Sequence, residues 1–107
     1  QYKGKIIEGN KIELPLVDSV NYHSWHLFVL KVKNRKKFSE HLSNNGIHTV
    51  IHYPKIIPQQ SAYSENRQKL EDFKMAYSNQ SKIISIPIFP LMKKNEINKV
   101  ISVINSY

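Results

Sequence analysis

The pattern that most restricts the fold lies near the C-terminus. Ile97, Val100, Ile101 and Ile104 recur at i, i+3, i+4 and i+7, the apolar stripe of an amphipathic helix, and Lys99 falls off that stripe. A helix with one apolar face must bury it against another element. Two further segments make the same demand. Asn34 is a natural N-cap for a helix running to about Asn45, with Phe38 and Leu42 on its inner face and Gly46 where a left-handed C-cap belongs. Glu65 to Ser78 is a third expected helix, with Leu70, Phe73 and Tyr77 on one side.

A small sheet is the surface that can cover three such faces. Trp25 to Val32, WHLFVLKV, has the aromatic and branched residues of a strand and is apolar on both faces over much of its length, which predicts cover on both sides. His48 to Tyr53 reads as a second strand that stops at Pro54, since proline cannot donate to a ladder. A loop spans 54–63. The run Ile83 to Phe89 is interrupted by Pro87 and closed by Pro90, which makes it an edge strand or a short extended segment. The expected order is β-α-β-α-β-α, an α/β (α+β) domain with a three- to four-stranded sheet covered by about three helices. Residues 1–20, broken by Gly4, Gly9-Asn10 and Pro15, read as a lead-in wrapping onto a domain at 21–107.

Composition narrows the function classes. The 107 residues contain no cysteine, so disulfides and thiolate metal sites are excluded. No apolar run approaches a membrane span and no leader pattern is visible, which fits a cytoplasmic protein. The net charge of +8 raises an anionic partner, and a stand-alone basic binding or regulatory module is the rival reading. However, only Arg35 and Arg67 are arginines among sixteen basic residues, and base-edge readout favours the bidentate guanidinium. The expectation is therefore no nucleic acid and no membrane partner. Lys31, Lys33, Arg35, Lys36 and Lys37 read as a solvated cluster around the first helix start.

Five histidines are present. His23 and His26, at an odd separation beside a strand, would point to opposite faces. His48 and His52, four apart, would share a strand face, but two imidazoles without a carboxylate make an incomplete metal site. No serine lies in a nucleophile-elbow turn, and three glycines do not build a phosphate-cradling loop. The residues alone give a small basic domain with no complete active site, no catalytic residue and no metal.

The order of motifs goes further. His23, Trp25-His26-Leu27-Phe28-Val29, Gly46-Ile47, Thr49 and Ile51-His52-Tyr53-Pro54 are followed by Gln60, Ala62-Tyr63, Ala76, Ile84-Ser85-Ile86-Pro87 and Pro90. Tyr2, Gly4 and Ile12 to Pro15 precede them. This series resembles the C-terminal small domain of DegT/StrS-type sugar-nucleotide aminotransferases, fold type I of the aspartate-aminotransferase superfamily, over nearly the whole chain. The resemblance implies a parent enzyme dependent on pyridoxal phosphate, with the cofactor lysine and cofactor-binding residues in a large domain outside this sequence. It implies transfer of an amino group from an amino acid, glutamate by expectation, to a nucleotide-linked keto-sugar, a 3-keto-6-deoxyhexose, for surface polysaccharide or lipopolysaccharide synthesis. It also implies a homodimeric parent, an inactive isolated fragment, and substrate contact through His52 and Tyr53. Two positions depart from the family pattern. Pro58 stands where many members carry a loop histidine, and Lys93 replaces the usual threonine cap of the last helix, which suggests that Asn95 caps a slightly later start.

Overall fold

Branched and aromatic residues at alternating positions assemble a three-stranded antiparallel sheet of order β1-β2-β3: β1 at Ile12–Glu13, β2 at Phe28–Val32 and β3 at Ile83–Ile86. The computed structural model describes residues 2–9, 11–63 and 70–107. β2 pairs Ile12 with Val32 on one edge, and Phe28, Leu30 and Lys31 with Ile86, Ile84 and Ile83 on the other. Its burial alternates: Phe28, Leu30 and Val32 are buried, Val29 and Lys31 only half-buried. The expected equal cover on both faces is thus corrected to one core face and one partly open face.

Among the described residues three α-helices accompany the sheet: α1 at Arg35–Asn44, α2 at Lys74–Gln80 and α3 at Lys94–Asn105. Asn34 caps α1 as its sequence predicts, its Oδ1 accepting from Lys37 N–H at 3.1 Å. Phe38 and Leu42 are fully buried, and Ile97, Val100, Ile101 and Ile104 of α3 join them in one core with Leu30, Val32, Ile84 and Ile86. Burying a side chain of this size contributes about 1.5–3 kcal/mol relative to exposure, so these two stripes are the main reason the helices stay on the sheet. The lead-in sends Tyr2, Ile6, Ile12 and Leu14 into the same core.

Several expectations are corrected. Residues 25–27 do not extend β2, because Trp25 turns the chain with φ +54°. His48 to Tyr53 is not a strand: only Val50 pairs, in a single bridge to Ser85. The sheet is thus antiparallel throughout, with the 48–53 segment paired to it by that bridge alone. Of the helix expected at Glu65–Ser78, residues 65–69 lie outside the described residues; Leu70–Phe73 is a 3-10 turn, and α2 begins at Lys74 and runs past Ser78. Tyr77 is half-exposed instead of facing a core. α3 starts before Asn95, its entry fixed by Glu96 Oε2 accepting from Lys93 N–H at 2.7 Å. In the basic cluster, Arg35 is half-buried and its Nη1 donates to the carbonyls of Gln80 and Ile83, tying α1 to the end of α2 and the start of β3. No helix among the described residues is long and apolar enough to cross a membrane.

Candidate functional site

β3 is built almost entirely of isoleucine, with one exception. Ile84 and Ile86 face the core through Leu30 and Phe28, and Ser85 between them is only 5% exposed. Its backbone exchanges two hydrogen bonds with Val50, N–H of Val50 to O of Ser85 at 3.2 Å and N–H of Ser85 to O of Val50 at 2.7 Å. That bridge anchors the segment leaving α1. Two residues further on, the half-buried His52 brings Nδ1 to 2.9 Å from Ser85 Oγ. Ser85 was visible in the sequence only as part of an Ile-Ser-Ile-Pro match; its signal was being the one polar residue in an apolar strand.

Tyr53 follows directly. Its ring stands perpendicular to the His52 imidazole, with centroids 5.5 Å apart, and the side chain is 70% exposed. It borders an open, mainly apolar hollow of about 470 Å³, lined also by Lys55, Ile57, Pro58, Phe73 and Ile83. Pro58, at the position where the resemblance expects a histidine, thus contributes an apolar wall. The loop is tied down where Ile56 N–H donates to Gln80 Oε1 at 3.2 Å. The structure therefore sets His52 beside Tyr53, a half-buried imidazole with a fixed partner next to an exposed phenol, and of the two it is Tyr53 that lines the hollow. Such a pair can hydrogen-bond and stack on a polar ring compound, while Lys55 adds positive charge nearby.

A second feature escaped the sequence reading. His23, Trp25, Phe28 and Tyr2 form a run of aromatic contacts, with successive centroids 4.1, 5.0 and 5.2 Å apart. Trp25 N–H donates to His23 Nδ1 at 2.8 Å, which holds the first stack. Beside them lies a cavity of about 350 Å³ bounded by Ile88, Phe89, Met92 and Ile97. The Tyr2 hydroxyl donates to Pro87 O at 2.7 Å, and burial pushes its pKa up to about 12. The left-handed turn at Trp25 that creates this stack has no sequence signal.

Among the described residues, no group of three or more His, Cys, Asp or Glu lies together to hold a metal. Neither His23 and His26 nor His48 and His52 are joined by a carboxylate among the described residues. A lysine that anchors an aldehyde cofactor needs a desolvated pocket. Every described lysine except Lys31 is exposed, and Lys31 pairs with Glu13 at 2.9 Å. The described residues therefore do not fit a site for such a cofactor.

The family model of the DegT/DnrJ/EryC1/StrS aminotransferases matches residues 2–105. The chain is 41% identical over 96 residues to the dTDP-3-amino-3,6-dideoxy-alpha-D-galactopyranose transaminase of Aneurinibacillus thermoaerophilus, covering 90% of this chain and 26% of that protein. It is 27% identical to the dTDP-3-amino-3,4,6-trideoxy-alpha-D-glucose transaminase of Streptomyces venezuelae, over 90% of this chain and 25% of that one. The fold matches the crystal structure of DesV from S. venezuelae, solved in complex with a ketimine intermediate, with a TM-score of 0.91 at 26% identity, covering 98% of this chain and 28% of that one. The chain spans about a quarter of the length of the curated relatives it matches.

Proposed function

Because the chain belongs to the DegT/DnrJ/EryC1/StrS aminotransferase family, we propose that it serves as the C-terminal small domain of a sugar-nucleotide aminotransferase. In this reading residues 1–20 are the incoming interdomain connection and 21–107 the small domain. The parent enzyme moves an amino group from an amino acid, glutamate in our reading, to a nucleotide-linked 3-keto-6-deoxyhexose. The product feeds surface polysaccharide or lipopolysaccharide synthesis, and the parent is a cytoplasmic homodimer. The observation that carries this is the 41% identity, over nine-tenths of the chain, to a transaminase whose product bears nitrogen at carbon 3 of a dideoxyhexose.

Pyridoxal phosphate, held by the parent's other domain, supplies the electron sink for amino transfer. This chain's contribution is binding and orientation. His52, backed by Ser85, offers the sugar nucleotide a hydrogen-bonding nitrogen from a rigid position, and Tyr53 offers a phenol and an aromatic face. A segment bridged to β3 beside a loop suits that task, since the bridge at Val50 and Ser85 orders the side chains that follow it and the loop admits ligand.

The test compares the parent protein, loaded with pyridoxal phosphate, with this 107-residue chain alone. Each is given glutamate and a dTDP-3-keto-6-deoxyhexose, and the product is read by mass spectrometry. Amination by the parent and none by the chain is the expected result. Turnover by the isolated chain, or a parent that rejects every nucleotide-linked keto-sugar, overturns the reading.

A further inference from the structure

We propose that Ser85 is a positioning residue that holds the neutral His52 imidazole in the tautomer protonated at Nε2, so that His52 meets the sugar nucleotide as a hydrogen-bond donor. This deepens the reading of His52 as a substrate contact and rests on it. Ser85 is 5% exposed, and the single hydrogen-bond partner of its hydroxyl among the described residues is His52 Nδ1 at 2.9 Å.

The direction of that bond follows from what each choice leaves unsatisfied. A hydroxyl has one hydrogen to donate and two lone pairs to accept with. If Nδ1–H donated to Oγ, the serine hydrogen would have no acceptor at a buried residue and would carry the full desolvation penalty of an unmade bond. If the hydroxyl donates to Nδ1, its hydrogen is satisfied and only lone pairs go short, which proteins tolerate more often. Nδ1 is then the acceptor nitrogen, and the ring proton of the neutral imidazole sits on Nε2.

Nε2 is free to use that proton outward. It has no partner among the described residues, and none of the described side-chain nitrogens or oxygens that are sealed from solvent lacks a partner, so Nε2 reaches solvent. The ring is also held in place. Ser85 is fixed by its register opposite Val29 in the sheet and by both backbone bonds to Val50, two residues before His52. A donor with one tautomer and one orientation selects an oxygen acceptor, which a diphosphate, a sugar hydroxyl or a keto oxygen provides.

Two measurements test this. In the 15N-labelled chain at about pH 8, long-range proton–nitrogen spectra should show an acceptor-type Nδ1 and a protonated Nε2 for His52. Ser85→Ala should release Nδ1 and make the Nδ1–H form measurable, while Ser85→Thr keeps the single tautomer; circular dichroism establishes that both variants are folded. A dominant Nδ1–H form in the unmodified chain, or unchanged nitrogen signals in S85A, overturns the proposal. In the parent enzyme, S85A should raise KM for the sugar nucleotide roughly three- to tenfold with kcat nearly constant, the mark of a lost uniform binding interaction, and Ser85→Thr should restore it. A shifted tautomer with unchanged KM would instead leave the Ser85–His52 pairing standing and remove His52 from the substrate.

Discussion

Replacing Gly46 by alanine should destabilise the domain by about 1 kcal/mol, and the figure can be built from the turn that ends α1. Gly46 has φ +72°, and its N–H donates to Ser43 O at 2.9 Å while Ile47 N–H donates to Leu42 O at 2.9 Å. The Gly46 bond satisfies the Ser43 carbonyl, the Ile47 bond gives the Leu42 carbonyl a second donor beside Asn45 N–H at 3.0 Å, and together they turn Ile47 back beside Leu42 in the core. A Cβ at Gly46 would meet nothing nearer than Lys99 Nζ at 3.6 Å, an ordinary contact at the end of a flexible side chain. Crowding therefore adds nothing, and the cost is conformational: about 1–2 kcal/mol for an L-residue in the left-handed region. Alanine also restricts the unfolded chain, which offsets about 0.4–1 kcal/mol. For a domain of this size the net loss lowers Tm by about 2–10 °C. Urea unfolding followed by circular dichroism should show a lower midpoint with an unchanged slope. Gly46→Asn, which tolerates the left-handed region better, should lose less. An alanine variant as stable as the parent chain, or an asparagine variant more damaged than the alanine one, would refute the reasoning.

Three further outcomes follow from the same geometry. The folded state holds the Tyr2 proton up to about pH 12, against an ordinary value of 10.0, so this contribution is full below pH 10 and lost as pH rises through about 12. Urea titrations over that interval should show the unmodified chain losing up to roughly 3 kcal/mol more than Tyr2→Phe; parallel curves would contradict the burial of the phenol. Arg35→Met removes the charged donor to the Gln80 and Ile83 carbonyls and should cost about 1–2 kcal/mol, with faster amide exchange concentrated in α2. Exchange that accelerates equally everywhere would show that Arg35 is not a local tie. Tyr53→Ala should leave thermal stability within about 0.5 kcal/mol, because the ring is 70% exposed, while raising KM for the sugar nucleotide in the parent enzyme; a folding defect without a KM change would sink the assignment.

How much of this was legible beforehand depends on whether local or distant groups decide the conformation. The α3 stripe, the Asn34 cap and the Gly46 turn were all readable, because each rests on interactions within a few residues: spacing, a side-chain oxygen near the first free N–H groups, and a permitted positive φ. The 48–53 segment was misread because its alternation is what a strand requires, yet pairing is decided by what stands opposite. Only Ser85 was available, 35 positions away, and the ladder stops after one bridge. Two-residue β1 could be sensed as an alternating run, but its partner Val32 could not. The left-handed Trp25, and with it the aromatic stack, depends wholly on tertiary packing.

The misread segment is also the one that forms the candidate site, and the two facts are connected. Had the ladder continued, positions 52 and 53 would have lain along the outer edge of β3, where Ile83 now lines the hollow beside Tyr53. Because pairing ends at Val50, that edge of Ile83 stays uncovered by backbone, and His52 reaches back to Ser85 through its side chain instead. A single backbone bridge thus gives the segment enough order to aim two side chains, and stopping there leaves the hollow that Tyr53 borders open to a ligand. Local sequence rules describe continuous elements, so a site made by interrupting one is where those rules should fail.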